Sequence, residues 1–194
     1  MTSRLDAIIT FSRFPILSSQ QIEKDDRHNY CLVSDLLVLG DTVRLYNIHL
    51  ESVRLKHEDY RFIDDLDLQF EQNENIKEGS RRIFLKLRTA YARRALQVKN
   101  LDVHISQSPH PVIICGDFND TPCSYTYQVL SKKKRDAFMQ NGSGLGNTYA
   151  GGLPSLRIDY IRFDPVFKSL DFTVGKYRLS DHYPISTKLV RIGI

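Results

Sequence analysis

Residues Pro111-Val112-Ile113-Ile114-Cys115 form a short unbroken apolar run that stops at Gly116. A strand with one wet face alternates polar and apolar residues, so a run without alternation marks a strand buried on both faces. Its neighbours along the chain read as strands too. Cys31–Leu39 and Thr42–Leu50 are strand-like, with Gly40-Asp41 between them as a Gly-first hairpin turn. In the second of these, Val43, Leu45, Asn47 and His49 share one face and Arg44, Tyr46, Ile48 and Leu50 the other. Ala7–Phe11 reads as a short strand ended by Ser12-Arg13-Phe14-Pro15, and Arg157–Phe163 and His182–Val190 as two more. Ser18–Asn29 is polar and reads as a loop. Gly142–Gly152, with five glycines, is a second loop and lacks the Walker phosphate-binding pattern.

The helical part lies between these strands. Residues 58–78 hold eight acids and two bases, an exposed and partly helical excursion. Residues 81–99 then hold seven bases and no acid, while Phe84, Leu87, Tyr91, Ala95, Val98, Leu101 and Ile105 recur at helical steps. The basic run is a candidate nucleic-acid stripe, but a solvated helix face that complements the preceding acids explains it better. Strands interrupted by one long helix indicate a mixed α/β domain. At 194 residues the whole chain, 1–194, suits a single domain. The net charge of +4, from 27 bases and 23 acids, does not by itself argue for nucleic acid. Three scattered cysteines (Cys31, Cys115, Cys123) exclude a disulfide framework and a zinc site, and favour a reducing compartment with a lean to the cytoplasm. No apolar run reaches the roughly 20 residues of a membrane span, and Met1–Asp6 does not begin a signal peptide.

Polar residues interrupt apolar strands at four places: Asn47-Ile48-His49-Leu50, Gly116-Asp117-Phe118-Asn119, Arg157-Ile158-Asp159-Tyr160-Ile161 and Ser180-Asp181-His182-Tyr183-Pro184. Singly, His49 reads as a core histidine, Asp117 as a turn residue or cap, and Asp181-His182 as a surface pair. Asp159, flanked by Ile158, Tyr160 and Ile161, is harder to place without a partner, because burying a lone charge is costly. Together, three carboxylates, two imidazoles and two carboxamides at strand ends suit a convergent polar cluster. Such a set fits metal-assisted attack of water on phosphorus. Carboxylates suit a hard divalent cation, an Asp–His pair fixes an imidazole, and Asp117 and Asn119 supply an acceptor and a donor.

The four motifs, in this order, resemble the endonuclease/exonuclease/phosphatase superfamily of metal-dependent hydrolases, and Phe11–Ile16 resembles its S-R-[FY]-P-[IL] strand. The resemblance runs from about Ile8 to the C-terminus. It implies a four-layer α/β sandwich of two packed β-sheets flanked by helices, and Mg²⁺ or Mn²⁺ as cofactor. It also implies a phosphate-ester substrate: DNA, RNA, a sphingolipid or an inositol phosphate, with no protein partner and membrane association open. Carried over, Asp117 resembles the aspartate that orients or deprotonates water, and Asn119 a donor to the phosphate. His182 resembles the imidazole on the scissile phosphate, backed by Asp159, and Asp181 a metal-binding aspartate. His49 resembles the histidine near the leaving group, and Asn47 an auxiliary phosphate contact. Either Asp117 or the Asp159–His182 pair is the base. The family's leading strands, with their Asn and metal-binding Glu, have no counterpart here, so the expectation is an N-terminally incomplete domain. It is either a phosphoesterase or an inactive remnant with a phosphate-binding surface. Ser124–Tyr127 and Lys132–Arg135 are candidates for the site rim, or simply an exposed loop and a helix start.

Overall fold

The computed structural model of the chain describes residues 8–23, 29–66, 74–151 and 156–192. Strands β1 (Ile16–Glu23), β2 (Asn29–Val38) and β3 (Asp41–His49) are followed by helices α1 (His57–Leu66) and α2 (Glu74–Ser106). Next come β4 (Val112–Asp117), α3 (Tyr125–Leu130), β5 (Arg135–Asp136) and α4 (Ala137–Asn141). The chain ends in β6 (Asp159–Phe163), β7 (Phe167–Ser169), β8 (Thr173–Val174), β9 (Ile185–Ser186) and β10 (Leu189–Arg191). Six strands form one mixed sheet in the order β1-β2-β3-β4-β6-β5, and two small two-stranded sheets pair β7 with β10 and β8 with β9.

The unbroken apolar run is β4, and it lies inside the sheet between parallel β3 and antiparallel β6. Both of its faces are covered, as the lack of alternation requires. On one face Tyr46, Ile48, Ile114 and Tyr160 pack with Val98 and Leu101 of α2 and Val129 and Leu130 of α3. On the other, Val43 and Phe163 pack with Ile113, Ile161, Phe167 of β7 and Leu189 of β10. The result is an α/β sandwich in which a helical layer, the large sheet and the small sheets stack in order.

Four local expectations change. Among the described residues, 8–11 pair with no strand, and Ala7 lies outside them. The polar stretch from Ser18 is instead β1, an edge strand held by antiparallel pairing to β2. Pairing overrides composition there, because an edge strand has little apolar surface to bury. The β2–β3 turn is Leu39-Gly40, since Val38 pairs with Asp41. Both turn residues have positive φ, 52° and 95°, which is the type I′ geometry that matches strand twist. In α2, Phe84 and Tyr91 are exposed, and the buried line runs through Ala90, Arg94, Gln97, Val98 and Leu101.

The acidic excursion and the basic run do meet. Asp59 is fully buried, accepting from Lys56 N at 2.7 Å and from Arg82 Nε at 2.9 Å, with Lys86 Nζ as third partner. This packs α1 on α2, and Gly79 makes room: a Cβ there would come 2.2 Å from the Phe62 ring edge. The three cysteines are free. No helix among the described residues is long and apolar enough to cross a membrane.

Candidate active site

Strand register builds the site. His49 pairs with Asp117, and Asp117 with Asp159, so the last residues of β3 and β4 and the first of β6 form one row across the sheet. Side chains of paired residues point to the same face, and the row caps the face packed against the small sheets. Gly116 lets β3 and β4 come this close at their ends. Its φ is +127°, and a Cβ would lie 2.0 Å from the Ile48 carbonyl oxygen.

His182 reaches the row from outside the sheet. Tyr149 and His182 form an isolated antiparallel bridge, flanked by Tyr183 N donating to Thr148 O and Ala150 N to Asp181 O, both at 2.7 Å. The Thr148 hydroxyl, fully buried, accepts from the amides of Ile158 and Asp159 at 3.1 Å. One residue thereby ties the start of β6 to the 181–183 segment. His182 Nδ1 then meets Asp159 Oδ2 at 2.8 Å, and its Nε2 lies 3.9 Å from Asp117 Oδ2. His49 Nε2 is 3.7 Å from the same Asp117 oxygen. Donor atoms of Asp117, Asp159 and His182 all lie within 4.8 Å of one another.

Asn119 holds Asp117. Its backbone N–H donates to Asp117 Oδ1 at 2.7 Å, and its amide donates to Asp117 Oδ2 at 2.8 Å and to Leu50 O at 2.9 Å. Both amide hydrogens are thus engaged. The cost of this turn is an Asn119 φ of 51°, a region that Asn tolerates better than most residues.

The electrostatics separate the two central groups. Burial, and then the Asp159 carboxylate beside it, push Asp117 up to about 7, against the pull of His182, the Asn119 amide and Arg94. The hydrogen bond to Asp159, opposed by burial, raises His182 to about 9. At neutral pH the imidazole therefore carries its proton, while Asp117 is poised between its two forms.

Two expected site residues sit apart from this cluster. Asn47 lies two residues before His49 and donates to Ile9 O at 3.0 Å. Asp181 is exposed beside His182 and outside the three-residue cluster, and among the described residues its carboxylate has no hydrogen-bond partner. Of the rim candidates, Ser124 caps α3, while Lys132 and Lys134 pair with Asp102 and Asp164.

Several contributors carry no sequence signal of their own. Tyr149 packs edge-on to His182, with ring centroids 5.4 Å apart, and shares a 3.0 Å hydrogen bond with the Tyr60 hydroxyl. Arg94, 1% exposed, donates to Glu51 O at 2.7 Å and to Asp120 at 3.2 Å. Gln97 accepts from Glu51 N at 2.9 Å. Together they fix the chain just beyond His49 and just beyond Asn119. The i, i+3 spacing of Arg94 and Gln97 puts them on one helix face, but the surrounding bases mask it.

Comparison with known proteins places this geometry. The fold is similar to that of a humanized D. rerio TDP2 (18% identity, TM-score 0.60, covering 92% of this chain and 68% of that one). It is similar to the Bacteroides thetaiotaomicron mannosyl-6-phosphatase Bt3783 (15%, 0.56, 91% and 67%). It also matches an endonuclease/exonuclease/phosphatase from Beutenbergia cavernae (15%, 0.62, 94% and 46%). The chain spans about two thirds of the first two and under half of the third. No curated protein matches it. A family model described as Endonuclease/Exonuclease/phosphatase family matches residues 2–184, almost the whole chain. With the four strand-end motifs converging as they do, the chain belongs to the endonuclease/exonuclease/phosphatase family, whose members support a general role in phosphoester hydrolysis.

Proposed function

We propose that this chain hydrolyses phosphate esters with the help of a divalent cation, by attack of water on phosphorus at the Asp117–Asp159–His182 cluster. The observation that carries the reading is the convergence of Asp117, Asp159 and His182, with ligand atoms within 4.8 Å of one another and His182 Nδ1 on Asp159 Oδ2 at 2.8 Å; Asp117 raised to about 7 and His182 to about 9 agree with it. A base works best with a pKa near the working pH, and an acid or charge stabiliser must hold its proton there. Asp117 accordingly orients the water and takes its proton. His182, protonated and aimed by Asp159, donates through Nε2 to a phosphoryl oxygen. His49, on the other side of Asp117, faces the leaving group. Asn119 keeps Asp117 in place and reaches a phosphate only by releasing one of its present acceptors. Asn47 would likewise have to leave Ile9 O to act as an auxiliary contact.

The donor set fits a hard cation of the Mg²⁺ or Mn²⁺ type. Two carboxylates stand side by side, and their mutual repulsion helps raise Asp117, which is the situation a nearby cation relieves. Asp181, at the rim with its carboxylate open, is the residue we assign to hold it, the cluster oxygens completing the surroundings. When bound, the cation offsets negative charge on the phosphoryl oxygens. The substrate class extends to phosphomonoesters, since one similar structure is a mannosyl-6-phosphatase, and to nucleic acids.

The test is hydrolysis of bis-p-nitrophenyl phosphate with Mg²⁺ or Mn²⁺. Asp117→Asn and His182→Ala should each lower kcat by about a hundredfold or more. Unchanged, metal-dependent turnover in either variant would refute the roles. Phosphate binding without turnover in the parent chain would favour the inactive remnant instead.

A further inference from the structure

A cleft of about 270 Å³ lies between residues 51–54 and α2, and the chemistry above does not use it. Glu51, Ser52, Arg54, Lys86, Thr89 and Arg93 line its polar side, and Val53, Leu85 and Ala90 the rest. Arg93 Nη1 lies 2.9 Å and Arg54 Nε 4.0 Å from one and the same Glu51 oxygen. The Glu51 side chain is 6% exposed, whereas Arg93 and Arg54 are 51% and 63% exposed. One buried anion therefore fixes two cations at an open mouth. Behind them, Asp59 holds both Arg82 and Lys86. Among the described residues that line the cleft, Arg54, Lys86 and Arg93 are cations and Glu51 is the one anion; Lys86 is held by Asp59 from behind, which leaves the two arginines sharing Glu51.

The backbone gives a second, independent sign. Arg54 has a φ of 55°, a region costly to a side chain that is not Gly or Asn, and its N–H is tied to Ser52 Oγ at 3.3 Å. The segment that forms one wall of the cleft leaves directly from the end of β3. Glu51 is two residues beyond His49, so their Cα atoms are at most about 7 Å apart. Leu50 N between them donates to Asp117 O at 3.0 Å.

We propose that this cleft binds a second phosphate group of the substrate, next to the one that is cut; the inference rests on the hydrolase reading. Guanidinium groups whose nitrogens are only partly engaged by Glu51 offer the fork geometry that phosphate oxygens accept. The second phosphate is either the neighbouring one of a nucleic-acid strand or the other end of a small bisphosphate.

Arg54→Gly is the sharp variant. Glycine takes the positive φ without strain, so lost affinity is not lost folding. On the full chain, kcat and KM are measured for bis-p-nitrophenyl phosphate, a short single-stranded oligonucleotide and a sugar bisphosphate. Calorimetry measures pyrophosphate binding to the Asp117→Asn variant, with and without Arg54→Gly. The expected result is a KM increase about tenfold larger for a substrate with several phosphates than for the one with a single phosphate, and a similar loss of pyrophosphate affinity. The substrate that shows the selective increase identifies the source. Equal KM changes for all three substrates, or pyrophosphate binding indifferent to Arg54, would overturn the proposal. Pyrophosphate binding that depends on Arg54, without turnover of any substrate, would keep the cleft and refute the hydrolase reading instead.

Discussion

Replacing Asp159 with Asn isolates the charge behind His182. The amide oxygen can still accept the Nδ1–H now held at 2.8 Å, so shape and hydrogen bond persist while the negative charge goes. The hydrogen bond to Asp159 is the largest cause of the rise of His182 to about 9. Against an ordinary value near 6.5, that is a clear preference for the protonated form, moderated by solvent because His182 is only half-buried. Because the folded value exceeds the unfolded one, this stabilisation is complete below about pH 6.5 and is lost as pH rises through about 9. Asp117 responds in the opposite sense. Asp159 helps to raise it, so the variant relieves part of an unfavourable ionisation that grows as pH rises from about 4 to about 7. The two effects offset each other in a denaturation experiment near neutrality, which makes the imidazole titration the decisive reading. Followed by NMR, His182 should fall by about 2 units in Asp159→Asn. A His182 that still titrates near 9 would refute the assignment and move the cause to Asp117 or Asp181.

The activity profile should be a bell. Turnover of bis-p-nitrophenyl phosphate should rise as Asp117 ionises, below about pH 7 once the cation relieves the repulsion from Asp159, and fall through about pH 9 as His182 loses its proton. A rate flat across this window would speak against both roles. Treatment with EDTA should abolish turnover, and added Mn²⁺ or Mg²⁺ should restore it; activity indifferent to chelation would exclude the cation. Gly116→Ala puts a methyl group 2.0 Å from Ile48 O at a φ of +127°, so β3 and β4 must part at the site. The cost should exceed about 3 kcal/mol, read as a fall in melting temperature of roughly 10 °C, and a fall under about 2 °C would contradict the packing. Arg94→Met leaves Asp120 buried without its partner at 3.2 Å and Glu51 O without its donor. A loss of about 3–5 kcal/mol is expected in urea denaturation.

The fold and the site were legible to different depths, for reasons found in particular residues. The run Pro111–Cys115 announces a doubly covered strand because burial on both faces removes alternation, and β4, from Val112, is that strand. His49, Asp117 and Asp159 stand out because each places a polar group at the end of an apolar run. Their alignment into one row follows from strand register, which pairs residues far apart in the chain. The edge strand β1 was hidden, since Ser18, Ser19, Gln20 and Gln21 bury too little to leave a pattern. The hairpin shifted by one residue because register, set by Val38 opposite Asp41, places Leu39 at positive φ although a Gly-first turn would suit the backbone better.

The basic run on α2 shows the limit most clearly. Seven like charges look alike in sequence, yet Arg94 is buried under the site, Arg82 and Lys86 bind Asp59, and Arg93 stands at the mouth of a cleft. What separates them is the carboxylate each one meets, and those carboxylates come from Glu51, Asp59 and Asp120, on segments outside the helix. His182 is the same case within the site. Its neighbouring strands, β8 and β9, have only two residues each. Its position therefore depends on Thr148 and Tyr149, which bind the 181–183 backbone on one side and the start of β6 on the other. The Ser-Asp-His sequence supplies the imidazole, and a threonine more than thirty residues earlier specifies where that group stands.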